Sequence, residues 1–213
     1  MSTSARNAQG AVLTVGATGS AKTITAITQA NPAVVTATAH GFTEGTIVVF
    51  SSVTGMTQMN ARVCVVRNVT ANTFEAAGID STSFSAYASG GSATPNAVTV
   101  GNFKSWNGYD GQNSEIDVTD LSSTAKQFRA GLYDPGQLQI TVQYLHNTAD
   151  QGQDALRASQ IASGPASSFV LTFKDGKTIT ATGFVKQFSN SGQVDGVVES
   201  NITIRLTGQP VYA

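Results

Sequence analysis

Residues 138–144 read LQITVQY, and this strict alternation constrains the fold more than any other feature of the chain. Leu138, Ile140, Val142 and Tyr144 fall on one side of an extended strand, and Gln139, Thr141 and Gln143 on the other. Period two marks a strand with one buried and one wet face, as in antiparallel sheets. Further runs repeat it or are continuously apolar: TIVVF (46–50), RVCVVR (62–67), SFVLTF (168–173) and VVESNITIRL (197–206). Between two of these runs, KDGK (174–177) predicts a hairpin turn in which Asp-Gly supplies the positive φ.

One stretch reads as a helix. Residues 147–164 open on a capping residue, carry Asp150 and Asp154 early and Arg157 further on, and end at Gly164-Pro165. Gly152 weakens the segment, and its apolar stripe of Ala155, Leu156, Ala158 and Ala162 is thin. The expectation is therefore an all-β protein, a β-sandwich or half-barrel with one α-helix. Abundant glycine (21 residues) and a charged fraction of only 12% fit a turn-rich β protein, and the aliphatic content argues against disorder.

A phosphate-binding loop is the first catalytic motif to test. VGATGSAKT (15–23) places Gly16, Lys22 and Thr23 on the G-x-x-x-x-G-K-[ST] pattern. Ala21 stands where the second glycine is needed, and TITAITQANP (23–32) alternates like a strand where a helix must begin. The expectation is two strands joined by a turn at residues 18–21, with Lys22 a solvated turn residue and no nucleotide role. The single cysteine, Cys64, excludes an intramolecular disulfide framework and reads as a buried thiol in an apolar strand. Neither His40 nor His146 has the context of a catalytic base. No pair of acids or His/Cys constellation supports an enzyme, and no metal or other cofactor is expected. The first ten residues lack the apolar stretch of a secretory leader and no run approaches a membrane span, so a soluble, cytoplasmically made protein is expected. A net charge of −1 lacks the basic stripe of a nucleic-acid binder.

Composition shifts over residues 24–93, where Glu44, Arg62, Arg67, Glu75 and Asp80 are the only formal charges. This segment has apolar residues for a core of its own (Val34, Val35, Phe42, Ile47, Val49, Phe50, Val65, Phe74, Phe84) and closes on a Gly/Ser stretch. It reads as a small β module inserted into a domain formed by residues 1–23 and 94–213, and it is expected to project outward.

Two resemblances complete the reading. NPAVVTATAHGF (31–42), VTGMTQMNAR (53–62), VTANTF (69–74) and YASGG (87–91) resemble a small all-β module of phage structural proteins, named after the first catalytic cysteine half-domain of ubiquitin-activating enzymes. The likeness brings no chemistry to Cys64, and it implies a turn hydrogen bond for His40. SEIDVTDLSSTAK (114–126), FRAGL (128–132), GFVKQF (183–188) and VVESNITIRLTG (197–208) resemble the major tail tube protein of long-tailed, non-contractile bacteriophages. That resemblance implies hexameric rings stacked into a hollow tube that conducts DNA from capsid to host without specific binding. It also implies tail tip or baseplate, tape-measure and terminator proteins as partners, no membrane, and a place in the virion tail after assembly in the bacterial cytoplasm. The region around residues 117–132 is expected to reach the neighbouring ring, mobile alone and ordered on stacking. Val118 and Leu121 frame its polar middle on one side and Phe128 and Leu132 on the other. Phe128 and Leu132 would bury apolar surface, Leu121 would join the contact, and Asp117, Asp120, Lys126 and Arg129 would set orientation. The alternatives are an ordinary edge hairpin for this region and, for the chain, a carbohydrate- or cell-binding β module. Trp106 would be the sugar platform of such a module, and residues 107–115 a calcium turn.

Overall fold

The alternating runs do form strands. The structure is a computed structural model that describes residues 8–145, 149–163 and 166–213. In chain order its first strands are β1 (Val12–Val15), β2 (Lys22–Thr23), β3 (Ala26–Ile27), β4 (Ala33–Thr36), β5 (Ile47–Thr54), β6 (Val63–Arg67), β7 (Thr73–Ala77) and β8 (Ser89–Pro95). There follow β9 (Val98–Thr99), β10 (Phe103–Gly108), β11 (Gln112–Asp117), β12 (Phe128–Asp134) and β13 (Gln137–Gln143). The helix α1 (Gln151–Ile161) precedes β14 (Ser167–Thr172), β15 (Thr178–Ser191) and β16 (Glu199–Tyr212). The protein is all-β with one α-helix among the described residues.

The first sheet has the order β10-β13-β16-β15-β14-β1-β9, antiparallel throughout and curled into a half-barrel. Leu138, Ile140 and Val142 on β13 are buried with Ile202, Ile204 and Leu206 on β16, while Gln139 and Gln143 are exposed. The β14–β15 turn has Gly176 at φ 81°, as Asp-Gly requires. Helix α1 covers the apolar face through Ala155, Leu156, Ala158 and Ala162, all buried in the sheet's own cluster.

The helix starts later than its sequence suggests. Asp150 is the N-cap, its Oδ1 accepting from Gln153 N at 2.7 Å and its Oδ2 from Gly101 N at 2.9 Å. The expected cap at Asn147 and stop at Gly164-Pro165 lie outside the described residues, as does His146. Gly152 is no weakness, because a side chain there would collide with the β9 carbonyl of Thr99. Buried Gln153 ties the helix down, accepting from Leu145 N and donating to the carbonyls of Gln143 and Gly101.

Residues between Lys22 and Pro95 build a second sheet, β2-β8-β5-β6-β7-β4-β3. The chain from β2 to β3 bonds to both of its edges: Ile24 N donates to Gly91 O at 3.0 Å, and Thr25 N to Thr36 O at 2.8 Å. The sheet thus closes into a small barrel, which leaves no free edge. Its interior holds Ile24, Val35, Phe42, Phe50, Cys64, Val66 and Phe74. His40 lies among these rings, its Nδ1 accepting from Phe42 N at 3.0 Å in the expected turn bond. Burial pushes the Cys64 thiol far above its ordinary range.

Two expectations need correction here. The VGATGSAKT stretch is not a hairpin: β1 belongs to the first sheet and β2 to the second, so the Gly/Ser loop is a crossing between them, and Lys22 sits in a short strand. The barrel also does not keep its apolar residues to itself. Ile47, Val63, Val65 and Ala77 point out of it into the same cluster as α1 and the first sheet, joined at its margin by Val49. Because side chains alternate, β5 and β6 supply one core with every second residue and the other core with those between. Ser167 Oγ donates to Gly45 O at 2.9 Å, and Arg67 donates to Ala162 O at the helix C-terminus. The module is therefore docked along a shared apolar seam.

Candidate assembly surface

Strands β11 and β12 stand apart from both seven-stranded sheets as a two-stranded ribbon. Its base is clamped. Tyr109, at φ 59°, donates its N–H to Gln137 O at 3.1 Å and packs edge-on against Trp106. Trp106 in turn meets Phe173 at a centroid distance of 6.1 Å. This half-buried indole is a packing residue between β10 and the end of β14, not an open platform. Burial, with Tyr212 adding to it, pushes the Tyr109 phenol up to about 12. On the far strand, Arg205 Nη2 contacts both oxygens of Asp134 at 2.8 and 2.6 Å. A hydrogen bond from Gly136 N, together with that guanidinium, holds the Asp134 carboxyl below the usual carboxylate range. Among the described residues no group of three or more His, Cys, Asp or Glu is placed to hold a metal, and Asp110 is used instead to accept from Gln137 N.

Beyond the base both faces of the ribbon are bare. Asp117 lies opposite Phe128, and Ile116 opposite Arg129. Successive residues of a strand face opposite ways, so Phe128 and Ile116 occupy different faces. They are 53% and 51% exposed, so neither face is covered within the subunit. A bulge between Asn113 and Glu115 turns the strands before Leu132, which is 89% exposed, and Gly131 lets the ribbon close over Ser114. An isolated two-stranded hairpin is marginal at best in water. Such a ribbon with apolar groups on both sides gains most by meeting another surface.

The connecting tip is organised by its own acids. Asp117 Oδ1 accepts from Thr119 N at 2.9 Å; Asp120 Oδ1 accepts from Ser122 N and from the hydroxyls of Ser122 and Ser123. The Thr119 side chain and N–H hold the Asp117 carboxyl below its usual range, and the Ser122 and Ser123 hydroxyls with Ser122 N do the same for Asp120. Leu121 is left fully exposed on this turn. Lys126 and Arg129 make no ion pair among the described residues. All seven candidate contact residues thus fall on one paired hairpin. Ile116 and Tyr133, also exposed, were missed because the acidic residues around the first and the turn residues around the second masked the alternation. A second exposed apolar group, Val194, Val197 and Val198, sits at the β15–β16 tip; only Val197 and Val198 fall in an expected strand, and β16 itself begins at Glu199.

Two stretches of the chain match known families. Residues 78–182, which contain the whole ribbon, match the family described as phage tail tube, TTP, lambda-like. Residues 30–96 match the ubiquitin-activating enzyme E1 FCCH domain. No curated protein matches the sequence. One similar solved structure is the tail of an empty GTA particle refined with C6 symmetry, at 15% identity and a TM-score of 0.44, covering 55% of this chain and 86% of that one. Another is the six-fold symmetrised baseplate of the anti-feeding prophage, at 9% identity and a TM-score of 0.45, covering 81% of this chain and 95% of that one. The chain is thus similar to the lambda-like phage tail tube family over residues 78–182 and to the E1 FCCH domain family over residues 30–96.

Proposed function

We propose that this chain is a structural, non-enzymatic protein of a phage tail whose copies close into six-membered rings that stack into a DNA-conducting tube. The carrying observation is the β11–β12 ribbon, bare on both faces, within the residues that match the tail tube family. The first sheet supports ring closure. Strand β10 has a partner on one side only, and residues 184–191 of β15 extend past the end of β14. Open edges of this kind invite pairing, and a repeated head-to-tail contact around a ring joins them productively. In stacking, Leu121, Phe128 and Leu132 bury apolar surface, while Asp117, Asp120, Lys126 and Arg129 set orientation. A net charge of −1 suits a conduit, since each cation facing phosphate would add salt-sensitive affinity and retain the DNA. On this reading residues 1–23 and 94–213 form the tube domain and residues 24–93 an inserted module. The tube sits in the virion tail after assembly in the host cytoplasm, and meets tape-measure, terminator and tip proteins.

Electron microscopy of the purified protein tests the proposal. Hollow tubes with six-fold end views are expected. Dispersed single subunits at high concentration, with binding to a glycan array, would instead favour the carbohydrate-binding reading.

A further inference from the structure

We propose that the seat for the β11–β12 ribbon is the β15–β16 tip, residues 191–199, of a second copy in the next ring. This rests on the stacking reading above and adds the partner surface. The two features lie at opposite ends of one sheet. At one end Gly108 pairs with Leu138 and Gln137 with Arg205, and from these residues the ribbon springs. At the other end Gln143 pairs with Glu199, and Glu199 with Ser191, immediately before the tip. Copies stacked in one sense along an axis bring one end of each onto the other end of the next, a heterologous contact that repeats without closing.

The tip has the chemistry to receive the ribbon. Val194 is fully exposed and Val197 and Val198 half so, beside a shallow concavity lined by Ser191, Gly192, Gln193, Gly196, Val197 and Glu199. The tip also offers an unpaired acid, and the ribbon offers unpaired cations. Asp195 at the tip is exposed and makes no ion pair among the described residues, while the adjacent cation, Lys104, is already engaged by Glu199. At the far end of the ribbon Asp117 and Asp120 turn their oxygens onto nearby backbone and hydroxyl donors, whereas Lys126 and Arg129 make no ion pair among the described residues. Glu115, opposite Ala130, lies closer to the ribbon base. An exposed apolar patch with one unpaired acid thus faces an apolar ribbon that carries two cations free of ion pairs beside its own ionised Asp117 and Asp120, and the position of the cations on the ribbon would fix register and partner choice.

The test uses Leu121→Cys and Val194→Cys together in the full chain. The one native thiol, Cys64, is buried and takes no part in oxidation. After tubes have been confirmed by microscopy and oxidised, a non-reducing gel is expected to show a ladder extending beyond the number of subunits in a ring. Three results would overturn the inference: a ladder stopping at the ring number, which means neighbours within a ring; dimers given by Leu121→Cys alone, which means ribbon on ribbon; and no cross-link in intact tubes. Absence of tubes from the unaltered protein overturns the stacking reading as well, so the two failures are distinguishable. As a second arm, Lys126→Glu with Arg129→Glu is expected to abolish tubes, and adding Asp195→Lys to restore them. Tubes unaffected by the double reversal would contradict the charge pairing.

Discussion

Gly78→Ala is the substitution that asks most sharply whether the barrel and the first sheet behave as one body. Gly78 follows β7 at φ 90°, and a Cβ there would stand 2.8 Å from the Ala158 Cβ and 3.1 Å from its Cα. Two costs add. An L side chain at positive φ costs roughly 1–2 kcal/mol, and forcing a methyl against a helix backbone costs about 1–3 kcal/mol. The sum is about 2–5 kcal/mol, a large part of the stability of an ordinary domain. Gly176→Ala is the control, because Gly176 has φ 81° and nothing within 4 Å of its would-be Cβ, so it carries only the first cost. Trp106 is the single tryptophan and sits in the first sheet, while the perturbation sits on the barrel. Urea unfolding of the unassembled subunit, followed by Trp106 fluorescence and by far-UV circular dichroism, should give one coincident transition. Its midpoint should move further for Gly78→Ala than for Gly176→Ala, with the slope unchanged. A tryptophan midpoint that stays still, or two substitutions of equal effect, would refute the shared seam.

Asp150→Ala removes the cap of α1 and leaves the Gly101 and Gln153 N–H groups without their acceptor, so a loss of about 1–3 kcal/mol is expected in the same urea assay. The carboxyls of Asp117, Asp120 and Asp134 bind protons less readily when folded than when unfolded. Their contribution to stability is therefore whole above the ordinary Asp value of about 4 and is lost as pH falls through the lowered folded values. The melting temperature should drop over that acid window, and Asp120→Asn should flatten part of the drop; a melting temperature independent of pH there would contradict the assignment. Cys64 should resist a maleimide in the native protein and react only as fast as the chain unfolds, and rapid native labelling would show that the barrel interior opens.

The β class was legible because alternation is a local property: Leu138, Ile140 and Val142 announce their buried face without reference to any other strand. Asp-Gly at the β14–β15 turn and the apolar stripe of α1 were legible for the same reason. What stayed hidden is pairing. Nothing in VGATGSAKT says that β1 and β2 join different sheets, because strand partners are set by residues up to about 160 positions away in sequence, as with Leu13 and Leu171. Ile47, Val49 and Val65 read as residues of a private core, and only the assembled barrel reveals that they face outward into the cluster of α1 and the first sheet. At the candidate surface, the polar middle and apolar ends of residues 117–132 were readable. Its registered pairing with β11, which puts Ile116 on the opposite face, was not, because a bulge that sets Gly131 and Leu132 opposite the single Ser114 resets the alternation along β12.

The claim that the bare ribbon drives assembly is tested most directly by Phe128→Asp. Phe128 is half exposed and makes no core contact in the subunit, so the change should leave folding intact while placing a charge where a neighbour must bury a ring. Sedimentation with electron microscopy is the measurement. The account predicts a folded subunit with a wild-type circular dichroism spectrum that sediments as a small species and forms no tubes. Tubes of normal length from Phe128→Asp would contradict it.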